Sequence, residues 1–83
     1  MPDRIRLDGR VAVVTGAAGV IGTATIRLLA ERGARIVAVD RREQDLAAAI
    51  KDLPASAEAL AVAADVTQED EVAEYVRAAV DRF

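Results

Sequence analysis

The feature that most constrains the fold is a set of three glycines placed directly after a β-branched segment. Val11 to Thr15 reads VAVVT, and Gly16, Gly19 and Gly22 follow it before a helical pattern begins. A strand, a glycine turn and a helix in this order are the context that a dinucleotide-binding fingerprint requires. The first interval is one residue wider than in the usual Gly-x-Gly-x-x-Gly spacing.

Each glycine has a physical reason to stand where it does. Gly16 is expected to adopt the positive φ that a sharp turn from strand to helix demands. Gly19 has no Cβ, so a pyrophosphate can approach its backbone, and Gly22 lets the helix pack closely on the strand. Free N–H groups and the helix dipole then favour a phosphate at the start of the helix. The alternative interpretation is a plain turn with a small-residue packing face.

The second predicted strand ends in an acidic residue, Asp40, eighteen positions beyond Gly22. A carboxylate at this point accepts hydrogen bonds from both hydroxyls of the adenine ribose and repels a 2′-phosphate. This favours NAD over NADP. Asp40 is alternatively a solvated acid at a strand end or the N-cap of the next helix. Arg41 and Arg42 follow it, and a basic residue here meets a 2′-phosphate, stacks beside adenine or faces water.

The whole chain alternates between strand and helix patterns. Strands are predicted over about 10–15, 35–40 and 60–64, and helices over about 20–32, 43–52 and 67–82. This alternation predicts an α/β fold, namely one βαβαβα half of a Rossmann-type, doubly wound parallel sheet. Right-handed crossovers give the strand order 3-2-1, which leaves the first strand at an edge. Residues 1–83 are therefore expected to form the N-terminal half of one dinucleotide-binding domain.

Apolar spacing predicts which faces of the helices are buried. In the first helix, Ile21, Ala24 and Leu28 recur at helical spacing, and Ile26 and Leu29 widen this apolar stripe. Thr67 is the predicted N-cap of the third helix. The apolar stripe of the third helix consists of Val72, Val76, Ala79, Val80 and Phe83. We interpret this stripe as core packing and not as a ligand site.

Composition excludes several classes of function. The 83 residues include no cysteine and no histidine, so a disulfide framework, a zinc site and a Ser-His-Asp triad are not expected. The net charge of −3 argues against a nucleic-acid-binding face. The longest apolar run, Ala59 to Ala64, is too short for a membrane span, and no secretory signal is recognised. The default compartment is the cytoplasm.

The glycine segment and its flanks also resemble a known family. Thr15 to Gly22, preceded by Leu7 to Val11, is similar to the opening of a short-chain dehydrogenase/reductase, and the resemblance extends to Phe83. Thr-Gly-x-x-Gly-x-x-Gly matches the extended, epimerase-like branch. The shorter, single-domain branch has its middle glycine where Val20 stands, and the flanking segments resemble that branch.

The resemblance implies an NAD(P)-dependent oxidoreductase that moves a hydride between nicotinamide and an alcohol or ketone. It further implies that Asp65 contacts the exocyclic amine of adenine and that the N–H of Val66 contacts a ring nitrogen. The family's catalytic Ser and Tyr-x-x-x-Lys pair are not found, since the only tyrosine, Tyr75, is followed four residues later by Ala79. We therefore assign no catalytic residue and no metal ligand. The predicted cofactor-binding residues are Gly16, Ala18, Gly19, Val20, Ile21, Gly22, Asp40, Arg41, Asp65 and Val66.

Two other functions are compatible with the same residues. One is a non-catalytic dinucleotide-binding module, and the other is an extended-branch epimerase or dehydratase that acts on sugar nucleotides. For the full-length oxidoreductase we expect a small alcohol or ketone substrate and a homo-oligomer. Neither a nucleic-acid partner nor a membrane partner is expected.

Overall fold

Three parallel strands alternate with three helices in the computed structural model of the protein, which describes residues 6–83. The strands are β1 (Val11–Thr15), β2 (Arg35–Asp40) and β3 (Ala59–Ala63), and the helices are α1 (Val20–Glu31), α2 (Glu43–Lys51) and α3 (Glu69–Arg82). Every boundary lies within two residues of its predicted position. The first five residues of the predicted 1–83 domain lie outside the described residues.

The sheet order confirms the predicted α/β topology. The order is β1-β2-β3, which is the predicted 3-2-1 order read from the other edge, and both pairs are parallel. Val13 lies opposite Val37, which in turn lies opposite Leu60. As the central strand, β2 is buried from Ile36 to its end, whereas β1 lies at an edge.

The first two helices cover one face of β2, but the stripe predicted for α1 is only partly buried. Ile26 is fully buried and Leu29 is half-buried against the core, whereas Ile21, Ala24 and Leu28 are exposed. The two buried residues of α1 are Ile26, which belongs to the predicted stripe, and Ala30, which does not. They follow Gly22 at steps of four, and Gly22 lies against the turn that precedes the helix. This contact sets the rotation of the helix, and a count of apolar side chains overlooks it because glycine has none.

The third helix covers the opposite face of β2, and the stripe predicted for it is only partly buried. Tyr75 and Ala79 pack against the valines of β2. Val76 and Val80 lie to one side and are 49% and 72% exposed. The large ring of Tyr75 faces the sheet, so the helix is rotated away from the purely aliphatic stripe.

Candidate functional site

The carboxyl ends of the three strands meet at one edge of the sheet, as they must in a parallel arrangement. A cleft of about 480 Å³ opens there. Its lining consists of Gly16, Asp40, Arg41, Arg42, Ala64, Asp65, Val66 and Thr67. Five of the residues predicted from the sequence therefore lie in one cleft, although they come from three separate loops.

The turn between β1 and α1 begins with Gly16, which has a φ of +66°. This left-handed conformation favours glycine, as the sequence predicted. The next residue, Ala17, is fully buried and donates its N–H to the Val39 carbonyl at 3.0 Å. The N–H of Gly19 returns to the Gly16 carbonyl at 3.1 Å. These bonds fix the turn on the end of β2.

Gly19 and Gly22 lack side chains for different reasons. A Cβ at Gly22 would clash with the carbonyl oxygen of Gly16 and would lie 2.9 Å from the Cα of Ala17, so the fold itself excludes a side chain. A Cβ at Gly19 would make only ordinary contacts, at 3.4 Å to the Gly16 oxygen and 3.7 Å to the Arg42 Nη2 atom. Within residues 6–83, neither a positive φ nor a steric clash requires a glycine at position 19.

Val20 and Ile21 form the first turn of α1 and are 91% and 82% exposed. The helix starts at Val20, and the N–H of Thr23 donates to the Gly19 carbonyl at 2.8 Å. Val20, Ile21 and Gly22 come before Thr23 in the chain. Their N–H groups therefore lie at the start of the helix, where the dipole is positive. A helix start of this kind suits an anionic group such as a pyrophosphate.

The Asp40 carboxylate lies beside this turn and is nearly inaccessible, with 6% of the residue exposed. Its Oδ2 atom accepts hydrogen bonds from Ala18 N at 3.1 Å and Arg42 Nη2 at 3.2 Å. Its Oδ1 atom accepts bonds from Arg42 N at 2.9 Å and Arg42 Nε at 3.1 Å. The Arg42 side chain, acting against the effect of burial, lowers the pKa of Asp40 to about 2. The group is therefore a carboxylate at neutral pH.

The two arginines after Asp40 behave differently. Arg41 is exposed, lines the cleft and contributes, after the hydrogen bonds from Thr67, to a lowered pKa of Asp65. Arg42 folds back onto Asp40 and supplies the N-cap of α2 through its backbone. Asp40 is thus not the N-cap of that helix. The sequence analysis named both arginines but did not predict that Arg42 pairs with Asp40. The only sequence signal for this pair is that the two residues are two positions apart.

The loop after β3 is held by its own side chains. Asp65 Oδ1 accepts hydrogen bonds from Thr67 N at 2.9 Å and Thr67 Oγ1 at 2.6 Å, and Asp65 N donates to Glu71 Oε1 at 2.9 Å. The prediction that Thr67 is an N-cap is wrong, because its hydroxyl is engaged with Asp65 and Gln68 occupies the cap position. Glu71, which the sequence analysis did not single out, fixes the loop by reaching back from the first turn of α3.

Asp65 and Val66 retain the groups that an adenine would need. The bonds to Asp65 converge on Oδ1, and within residues 6–83 none reaches its Oδ2 atom. The described part of the chain likewise shows no hydrogen bond from the N–H of Val66. One acceptor and one donor thus lie on adjacent residues that line the cleft, and they are the groups that the resemblance led us to expect beside adenine.

A second cavity, of about 440 Å³, lies at the other end of the strands, near the amino ends of β2 and β3. Charged residues line it, but they pair with each other: Arg6 Nη2 lies 2.9 Å from Asp8 Oδ1, and Arg35 Nε lies 3.5 Å from Glu58 Oε1. No residue predicted to bind the cofactor lines this cavity. The cleft at the carboxyl ends of the strands is therefore the candidate site.

Comparison with known proteins identifies related sequences over nearly the whole chain. Residues 10–83 match the family model described as short chain dehydrogenase. The cis-4-hydroxycyclohexanecarboxylate dehydrogenase of Sinomonas cyclohexanicum is 54% identical over 76 residues, which cover 89% of this chain and 30% of that protein. The chain therefore spans about a third of the length of the curated relatives that it matches.

Solved structures give the same result for the fold. A 3-ketoacyl-(acyl-carrier-protein) reductase from Brucella melitensis, complexed with NADH, superposes with a TM-score of 0.84 at 36% identity, covering 93% of this chain and 31% of that one. A short chain dehydrogenase/reductase from Burkholderia phymatum, in complex with NAD, gives 0.87 at 34% identity, covering 94% and 28%. Both neighbours hold a nicotinamide dinucleotide.

Proposed function

Because this chain belongs to the short-chain dehydrogenase family, we propose that its cleft holds the adenosine and pyrophosphate of a nicotinamide dinucleotide. The chain is the NAD(P)-binding portion of an oxidoreductase of that family. In the proposed arrangement the pyrophosphate lies over Gly19 and the N–H groups of Val20 and Ile21. The adenine ribose lies against Asp40, and the adenine ring lies beside Asp65 and Val66.

The observation that carries this proposal is the hydrogen bond from Ala18 N to Asp40 Oδ2, at 3.1 Å. It fastens the glycine turn to the carboxylate, although the two are 22 residues apart in the sequence. A phosphate at the helix start and a ribose at the strand end are adjacent groups in a dinucleotide. The free chain therefore already has the two recognition elements at adjacent positions.

We propose further that NAD is preferred over NADP. Asp40 is ionised at neutral pH, since Arg42 lowers its pKa to about 2. An ionised carboxylate accepts hydrogen bonds from ribose hydroxyls, and it repels a 2′-phosphate at the same position. Arg41, which is exposed at the rim, is proposed to contact the adenosine side of the cofactor.

In the longer oxidoreductase, the bound nicotinamide would donate a hydride to a ketone carbon or accept one from an alcohol carbon. The residues described in this chain bind and orient the adenosine half, and the groups that handle the substrate proton are proposed to lie elsewhere. We also propose a homo-oligomer located in the cytoplasm. Among the helices of residues 6–83, none is sufficiently long and apolar to cross a membrane.

Titrating the 83-residue chain with NAD and NADP, by calorimetry or NMR, tests the proposal. NAD is expected to bind more tightly. The substitution Asp40→Ala should cost about 1.5–3 kcal/mol of NAD binding, the typical contribution of a charged hydrogen bond. Asp52→Ala removes the same charge from an exposed position at the end of α2 and serves as the control. Tighter NADP binding, or an unchanged preference in folded Asp40→Ala, would contradict the assignment.

A further inference from the structure

The Arg42 guanidinium lies where the adenine ribose is proposed to bind. Its Nε and Nη2 atoms donate to the two different oxygens of Asp40, at 3.1 and 3.2 Å. A vicinal diol presents two neighbouring hydroxyl donors to a carboxylate in the same side-on manner. The guanidinium fork therefore satisfies Asp40 as the two ribose hydroxyls would.

The bonds to Asp40 leave no room for an additional pair of donors. A carboxylate offers about four lone-pair sites, and the four bonds from Ala18 and Arg42 use them. Two of these four bonds come from backbone N–H groups, which the turn and the start of α2 hold in place. Only the two guanidinium bonds can be exchanged without moving the backbone.

The same guanidinium also lies over the glycine turn. Arg42 Nη2 is 3.7 Å from the point that a Cβ of Gly19 would occupy, which is the side from which a ligand would reach the turn. The Arg42 side chain is 53% exposed, so it has a path into solvent. The Asp45 carboxylate, 4.0 Å from Arg42 Nη1, offers it another partner on the outer side.

We propose that Arg42 is a built-in occupant of the ribose subsite, which the adenosine diol must displace when the cofactor binds. This inference rests on the proposed function. Exchange of guanidinium donors for hydroxyl donors keeps Asp40 satisfied in both states. Arg42 therefore sets the affinity for ligands that carry the diol, and it has no such effect on ligands that lack it.

The test compares 5′-ADP with its 2′,3′-dideoxy analogue, which has the same base and phosphates but no ribose hydroxyls. Both are titrated into the wild-type chain, Arg42→Met and Arg77→Met, the last being an exposed arginine of α3 that gives the same charge change. Loss of positive charge weakens both ligands alike, so the readout is the ratio of the two dissociation constants, dideoxy-ADP over ADP. This ratio should rise by about threefold to fivefold in Arg42→Met and stay constant in Arg77→Met.

An unchanged or smaller ratio in Arg42→Met overturns the inference while leaving the proposed function intact. If neither ADP nor NAD binds the folded wild-type chain, the proposed function fails and the inference fails with it. A second measurement needs no substitution, and therefore covers the case in which Arg42→Met does not fold. The Nε–H NMR signal of Arg42 in the wild-type chain should shift on adding ADP and not on adding dideoxy-ADP. A signal that ADP leaves in place also overturns the inference.

Discussion

At the scale of single residues, the site depends on a buried carboxylate whose charge is maintained by its neighbours. Burial alone would raise the pKa of Asp40, because it disfavours the charged form. The hydrogen bonds from Arg42, followed by the backbone bond from Ala18, outweigh burial and lower the pKa to about 2. Arg42 thus keeps the proposed ribose acceptor ionised, while its side chain also occupies that acceptor in the free chain.

The lowered pKa of Asp40 predicts an acid-dependent loss of stability. Its value is about 2 in the folded chain, against an ordinary value of 3.8, so the folded state favours the ionised form. The resulting stabilisation is fully present above about pH 4 and is lost as the pH falls from about 4 to about 2. Urea unfolding at pH 5, 4, 3 and 2.5 should therefore show a steeper decline for the wild type than for Asp40→Asn. Parallel declines in the two proteins would show that Asp40 is not stabilised in this way.

The candidate residues could be predicted to different extents from the sequence. Gly16 and Asp40 were predicted because their positions relative to the strands carry a physical requirement, a positive φ and a strand-end carboxylate. The hydrogen-bond partners of Asp40 and Asp65 could not be predicted from such a requirement. Arg42 and Glu71 reach their partners through long side chains whose direction depends on the tertiary fold, so sequence spacing alone left several options open.

At the scale of elements, the glycine turn decides how α1 sits on the sheet. The backbone contact at Gly22 places Ile26 and Ala30 against the core and turns Ile21 outward. The bounds of α1 were predictable, because strand, turn and helix signals are local. The buried face was predictable only in part. Ile26 belonged to the predicted stripe, but the inward row also includes a glycine and an alanine, whereas larger aliphatic residues occupy the exposed side.

Substituting Gly22 by alanine should destabilise the fold, although alanine is the better helix former. The new Cβ would meet backbone atoms of Gly16 and Ala17, so α1 would have to move away from the turn. We expect a loss of about 1–3 kcal/mol in the free energy of unfolding, as for other overpacked sites. Gly19→Ala is the matched control, since its Cβ makes ordinary contacts, and it should unfold at nearly the wild-type urea concentration. Equal midpoints for the two variants would contradict the packing argument.

At the scale of the whole molecule, the parallel sheet brings distant loops together at one edge. The loops after β1, β2 and β3 lie at the carboxyl ends of their strands, so the glycine turn, Asp40 and Asp65 line or border one cleft. The meeting of these three loops follows from the parallel topology, so it was predictable from the predicted strand order. At the other end of the strands, Arg35 and Glu58 pair with each other, which leaves that cavity without the pattern of a dinucleotide site.

Mapping NAD onto the backbone amides of the isotopically labelled 83-residue chain tests the central claim most directly. The shifts should concentrate in three separate segments, 18–22, 40–42 and 65–66, because the account places pyrophosphate, ribose and adenine there in turn. NMR detects such shifts even when binding is weak. Saturating NAD that leaves these three segments unchanged, or that instead shifts the amides around Arg35 and Glu58, would contradict the account.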